Sequence, residues 1–312
     1  MNELVIGSRK SRLALWQAEY IQGLILDVNP SLKVTIKPIR TRGDVDGTTP
    51  LPQVGDKGFF TAEIESALRS AEIDLAVHSL KDLPVNLPEG LKLGAVPHRV
   101  SAMDALVSLD GVRLKNLPEG AVIATSSVRR KAQLLHLRPD LRIVDVRGNV
   151  ETRLKKLELE GWNGLIMAEA ALDRLELTDI PRYRFTLDEI IPAAGQGAIA
   201  VEVAEGREDL KLILAAVQYD PTFQEVESEL QFISLVEGGC KVPAGAHAEI
   251  HNTTIQLWGM VASLDGKTLL KDTVSGPTIT SKQVADELFA RLVKEGAREI
   301  LAEARELVGE SI

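Results

Sequence analysis

Apolar and polar positions follow two rhythms along this chain. Through the first two-thirds, short apolar runs alternate with stretches whose apolar residues recur every three or four positions. "ELVIGS" reads as a strand, and "RLALWQAEYIQGLILDV" as a helix that stops before Asn29-Pro30. "KVTIKPI" reads as a second strand. "FTAEIESALRSA" follows as a helix with Thr61 as N-cap and Ile64, Ala67 and Leu68 on its inner face. "IDLAVHS", "LKLGAVP", "AVIATSS", "LRIVDVRG", "GLIMAEAA" and "AIAVEV" continue the strand series, with helices "VRRKAQLLHL" and "ETRLKKLELEG" among them. The segment around 106–120 reads as surface connections. This alternation is the pattern of an α/β fold with largely parallel strands, and no internal repeat is visible.

The last third changes rhythm. "HAEIHNTTIQLWGMVASLDGKTLLKDTVSG" alternates residue by residue, with turns at Asn252-Thr253 and Asp265-Gly266, and reads as an antiparallel meander. "SKQVADELFARLVKEGAREILAEARELVG" then reads as one or two helices. Strands followed by helices suggest a separate α+β domain beginning near Asp220-Pro221.

Composition narrows the class. The chain has 312 residues, 45% of them hydrophobic and 26% charged, which suits a soluble chain of two or three domains. A single cysteine excludes an internal disulfide framework and fits a reducing compartment. The start of the chain shows no secretory pattern and no run approaches a membrane span, so the expected location is the cytoplasm. The net charge of -9 argues against non-specific nucleic-acid binding. Yet between Thr125 and Lys156 nine basic residues face three acids. An anionic ligand is the simplest reason for such a patch.

Three segments share one design of strand, polar loop and helix: "VIGSRKSRLALW", "VIATSSVRRKAQLL" and "VDVRGNVETRLKKL". Helix starts offer unpaired N–H groups. Ser8, Ser11, Thr125, Ser126 and Ser127 add hydroxyls, and Arg9, Arg129, Arg130, Arg147 and Arg153 add bidentate partners for carboxylate or phosphate. Each loop alone is equally consistent with ordinary capping and solvated arginines. Three of them at the carboxyl ends of strands point to a ligand with several anionic groups. "DLAVHSLKDLP" ends a strand with His78, Lys81 and Asp82. Lys81 and Asp82 could form a plain ion pair, or bind an anion and accept ligand N–H groups; His78 reads as structural. "QVGDKGFFTAE", with Lys57, lacks a nucleotide-binding signature and suggests a lid. "IPAAGQGAIAVE" suggests a hinge strand. No Cys/His cluster has metal spacing. Cys240 in "VEGGCKVPAGA" would ordinarily be a buried filler, but Gly238, Gly239 and Pro243 describe a loop with room beside the sulfur.

In order, "GSRKSRLALWQA", "TRGD", "GDKGFF", "DLAVHSLKDLP", "TSSVRRKAQL", "RGNVETRL", "PAAGQGAIAVE" and "EGGCKVPAGAHA" make the chain resemble the porphobilinogen deaminase (hydroxymethylbilane synthase) family over nearly its whole length. The resemblance implies two α/β lobes like those of periplasmic binding proteins and a small α+β domain with a three-stranded antiparallel sheet. The expected division is 1–98 with 193–217, then 99–192, then 218–312. It also implies a monomer that joins four porphobilinogen molecules head to tail with loss of ammonia and releases hydroxymethylbilane by hydrolysis. A dipyrromethane cofactor, held by a thioether to Cys240, primes the chain. By motif, Asp82 is the catalytic aspartate, aided by Lys81 and Lys57. Lys81, Thr125, Ser126, Ser127, Arg129, Arg130 and Arg147 would bind the cofactor together with Asp82, and Arg9, Ser11, Arg147 and Arg153 the substrate; no metal is implied.

The chain departs from the family pattern in places. Gln53 stands where many relatives have lysine, and Arg12 where proline or lysine is common. "PHRVSAMDAL" lacks the R-E-D-P-R-D pattern, keeping Arg99 and Asp104 but placing Met103 at an arginine position. Glu169 and Ala171 replace a small or apolar residue and glycine, and Leu230 an arginine. A Glu169 carboxylate aimed at an anion-binding cleft would repel substrate. The competing reading is a two-lobed organic-anion binding protein without catalysis, which would need neither Cys240 nor Asp82.

Overall fold

The computed structural model describes residues 2–45, 61–236 and 242–307. The strands are β1 (Glu3–Arg9), β2 (Lys33–Ile39), β3 (Leu75–Ser79), β4 (Leu91–Ala95), β5 (Asp104–Val107), β6 (Val122–Ala124), β7 (Arg142–Val144), β8 (Gly164–Ala168), β9 (Arg182–Arg184), β10 (Ile199–Ala204), β11 (Ala244–His251), β12 (Thr254–Ala262) and β13 (Leu269–Pro277). The helices are α1 (Arg12–Val28), α2 (Arg42–Val45), α3 (Ala62–Arg69), α4 (Val128–Leu137), α5 (Val150–Leu159), α6 (Glu169–Arg174), α7 (Lys211–Val217), α8 (Asp220–Val236), α9 (Ser281–Lys294) and α10 (Ala297–Leu307). The described residues fall into two compact units, one of 2–45, 61–100 and 197–223 and one of 101–196, 224–236 and 242–307.

The first unit holds a five-stranded sheet in the order β2-β1-β3-β10-β4. β1 runs parallel to β2 and β3, whereas β10 is antiparallel to β3 and β4. On one face Ala18, Ile21 and Ile25 of α1 pack on Leu4, Ile6, Leu75, Val77 and Val201. Their spacing is the helical repeat that the sequence displays. On the other face Ile64, Ala67 and Leu68 of α3 cover Ala76. Thr61 does not act as the expected cap: its side chain makes no capping bond, and its buried Oγ1 has no partner among the described residues.

The second unit contains a sheet of the same plan, β7-β6-β8-β5-β9. β6 runs parallel to β7 and β8, and β5 is antiparallel to β8 and β9. Both sheets are therefore mixed, where the sequence suggested largely parallel strands. β5 is a wholly buried run of four residues, too short to display a period. For the same reason 106–120 is more than surface connection: Leu106 and Val107 lie in β5, and Leu114 and Leu117 are buried. "GLIMAEAA" is not all strand, since α6 begins at Glu169.

The remaining strands form the antiparallel sheet β11-β12-β13. Its turns fall where the sequence places them, with Asn252 at φ 58° and Gly266 at φ 73°. α8, α9 and α10 cover one face, bringing Phe232, Leu288, Leu292 and Leu301 onto Leu257 and Val261. Gly259 lets helix and sheet approach, because a Cβ there would lie 2.7 Å from Leu288 Cδ2 and 2.8 Å from Phe232 Cζ. We expect Gly259→Ala to cost ~1–3 kcal/mol through overpacking, read as a lower Tm.

Candidate active site

In the first unit β1 and β3 are parallel neighbours, with Gly7 level with Ala76. Their carboxyl ends release two loops at one sheet edge, one that follows Arg9 and holds Ser11 and one with Lys81 and Asp82. Ser11 caps α1 by accepting the Ala14 N–H at 3.3 Å. Buried Gln17 donates from Nε2 to Ser79 Oγ at 2.8 Å, and the Leu80 N–H donates to Ala198 O at 3.1 Å. These bonds hold the turn Leu80–Asp82 from two sides and leave Asp82 exposed. His78 is buried, its Nε2 3.0 Å from Glu202 Oε2.

The second unit repeats the arrangement. β6 and β7 are parallel neighbours, so Thr125–Ser127 and 145–149 lie side by side. Ser126 Oγ joins the two loops, donating to Val146 O at 2.8 Å and accepting Val146 N–H at 2.9 Å. Ser127 caps α4, Asn149 caps α5, and Thr125 Oγ1 accepts the Ser127 N–H. Arg153 Nε donates to Gly148 O at 2.7 Å. Arg147 differs from these, because its Nη2 is buried and has no hydrogen-bond partner among the described residues. An unsatisfied buried guanidinium N–H is costly, and a carboxylate is its natural complement.

Arg129 and Arg130 turn inward from α4. Arg129 Nη1 donates to Asp104 Oδ2 at 2.8 Å and to Ile191 O at 2.7 Å. Arg130 reaches Asp104 Oδ1 through Nε at 3.1 Å and Nη2 at 2.7 Å, and Ile166 O through Nη1 at 3.0 Å. Gln196 Nε2 donates to Asp104 Oδ1 at 2.8 Å and to Ala102 O at 2.7 Å. Gln133 bonds both the N–H and the carbonyl of Ile191. Burial alone would raise the Asp104 carboxyl, but the two guanidinium groups outweigh it and hold it well below the usual carboxylate range. Two cations around one anion leave these three side chains with one positive charge.

Residues 4–212 match the family model "Porphobilinogen deaminase, dipyromethane cofactor binding domain", and residues 223–294 match its C-terminal domain. The porphobilinogen deaminase of Syntrophotalea carbinolica is 46% identical over 299 residues, covering 96% of this chain and 95% of the relative. That of Moorella thermoacetica is 43% identical over 305 residues, covering 98% and 97%. This chain belongs to the porphobilinogen deaminase family. Among solved structures, Lactococcus lactis GlnP substrate binding domain 2 matches with TM-score 0.45 and 12% identity, over 72% of this chain and 94% of that one.

Within the family pattern, Cys240, Lys57 and Gln53 lie outside the described residues. Both elements flanking 237–241 are tied to 191–196. Glu229 of α8 accepts the Gly195 N–H at 2.6 Å, and Ala246 of β11 donates its N–H to Pro192 O at 3.1 Å. Glu169 accepts the Ser101 hydroxyl at 2.6 Å and pairs with Arg184 at 3.1 Å, so partners within its own unit take up its charge.

Sequence reasoning gives no site role to Asp104, Gln133, Gln196 or Glu229, although Asp104 is kept from the family pattern. For Asp104, Gln133 and Glu229 the signal available is a polar residue on a strand or helix position otherwise reading as core.

Removing the Asp104 charge strands two buried guanidinium groups, so Asp104→Asn should lose ~3–5 kcal/mol at pH 7 by urea unfolding. A depressed carboxyl stabilises fully above its unfolded pKa of about 3.9 and loses that contribution as pH falls towards its folded value. The gap between wild type and Asp104→Asn should therefore narrow below about pH 4.

Proposed function

We propose that this chain is a cytoplasmic, monomeric hydroxymethylbilane synthase that holds a dipyrromethane through Cys240 and adds four porphobilinogen units in succession. The observation that carries the reading is Arg147, whose buried Nη2 has no partner among the described residues, in a loop pair already supplied with hydroxyls and helix N–H groups. That donor set suits the carboxylates of a pyrrole bearing acetate and propionate arms. Arg147, Thr125, Ser126, Ser127, Arg129, Arg130, Lys81 and Asp82 would hold the cofactor. Arg9, Ser11 and Arg153 would join Arg147 in binding substrate carboxylates. We further propose that the chain divides into three domains, 1–98 with 193–217, 99–192 and 218–312.

When bound, the dipyrromethane supplies the free α-carbon to which the first unit is joined. The protein's own contribution is electrostatic. Asp82 is exposed on a turn braced by Ser79, Gln17 and Ala198, so its carboxylate can accept a pyrrole N–H of the arriving porphobilinogen. As the aminomethyl C–N bond breaks and ammonia leaves, positive charge grows on that ring, and a fixed carboxylate stabilises it. Lys57 and Lys81 would assist with the substrate's carboxylates.

Mass spectrometry of the intact protein from a haem-producing host should show added mass equal to two pyrrole units, absent in Cys240→Ser. Unmodified wild-type protein in a folded preparation would instead favour a non-catalytic organic-anion binder. Asp82→Ala should retain the fold by circular dichroism and lose at least ~100-fold in kcat; turnover near wild type would remove Asp82 from its role.

A further inference from the structure

Glu169 opens α6 directly after Ala168, the register partner of Asp104. Its Oε2 accepts the Ser101 hydroxyl at 2.6 Å and lies 3.1 Å from Arg184 Nε. Its backbone N–H donates to Met103 O at 3.0 Å. Ser101 Oγ accepts the Met103 N–H at 3.2 Å, and Arg184 is the register partner of Ala105. One residue thus grips both ends of Ser101–Met103, the three residues that lead into Asp104. Its side chain is 12% exposed, whereas that of Arg184 is 59% exposed, so the ion pair is solvent-screened and the firmer contact is the Ser101 bond.

We propose that Glu169 is a positioning residue for the anion-binding arginines of this chain. Through Ser101 and Met103 it fixes the entry to β5, and Asp104 at the start of β5 fixes Arg129 and Arg130. The inference rests on the reading that those arginines serve the carboxylates of cofactor and substrate. Ser101-Ala102-Met103 contains no ring to restrict its backbone. A serine hydroxyl accepting an N–H two residues on is a weak local turn. The charge-assisted bond from that hydroxyl to Glu169 anchors the turn to α6. Displacing Asp104 by a fraction of an ångström moves both guanidinium groups, and binding groups tolerate little such error.

The test compares wild type with Glu169→Ala, Ser101→Ala and Glu169→Gln, by intact mass and steady-state kinetics. Both alanine variants should raise KM for porphobilinogen about 3–10-fold with kcat within about twofold, and should increase the fraction of molecules lacking the two-pyrrole mass. In Glu169→Gln the amide oxygen can still accept the Ser101 hydroxyl, so KM and loading should stay closer to wild type than in Glu169→Ala. A purely structural role would lower Tm without this KM change. Wild-type KM and loading in both alanine variants overturn the proposal, as does Glu169→Gln no better than Glu169→Ala. Wild-type protein that carries no added mass is a separate result, and it overturns the functional reading itself.

Discussion

The carboxylate of Asp104 is fully buried between two guanidinium groups, and the second unit is organised around keeping all three charges satisfied. A lone buried charge would be costly, and a buried pair is tolerable only when the remaining donors and acceptors are also met. Here Gln196 completes Asp104, while the Ile166 and Ile191 carbonyls take further N–H groups of Arg130 and Arg129. The network joins α4, β5, β8 and the segment 191–196. The third sheet docks on that segment, with Gly245 so close that a Cβ would meet Pro192 O at 2.7 Å and Ile191 O at 2.9 Å. The elements on either side of Cys240 are therefore set by the charges that set the arginines.

The two α/β units answer the same problem twice. In each, neighbouring parallel strands end together and release polar loops at one edge: β1 with β3 in the first, β6 with β7 in the second. Capping is common to both, through Ser11 on one side and Ser127 and Asn149 on the other. Each edge also carries one exposed carboxylate near a basic residue, Asp82 next to Lys81 in the first and Asp145 two residues before Arg147 in the second.

Much of this was legible in the sequence, because long helices and the meander have strong periods. α1 and α4 begin and end where the pattern places them, each after a serine N-cap, and α1 stops at Asn29. β5 and β9, at four and three residues, carry no periodic signal, and with them went the mixed character of the second sheet. The polar loops could be read from serines and arginines before helix starts. The inward turn of Arg129 and Arg130 could not, since helical spacing alone does not say which polar face meets a buried acid 25 residues earlier. Glu169 invited the expectation of a repulsive charge, and only tertiary geometry supplies Ser101 and Arg184 as its partners.

β10 lies between β3 and β4 yet follows the entire second sheet in the chain. During synthesis, the second sheet has all its strands once residue 184 has emerged, while the first still lacks an interior strand. Until residue 204 is available, β3 presents an unpaired edge and β4 has no partner strand, the kind of surface on which strands of other chains add. The sheet that begins the chain is thus the later of the two α/β sheets to have all its strands.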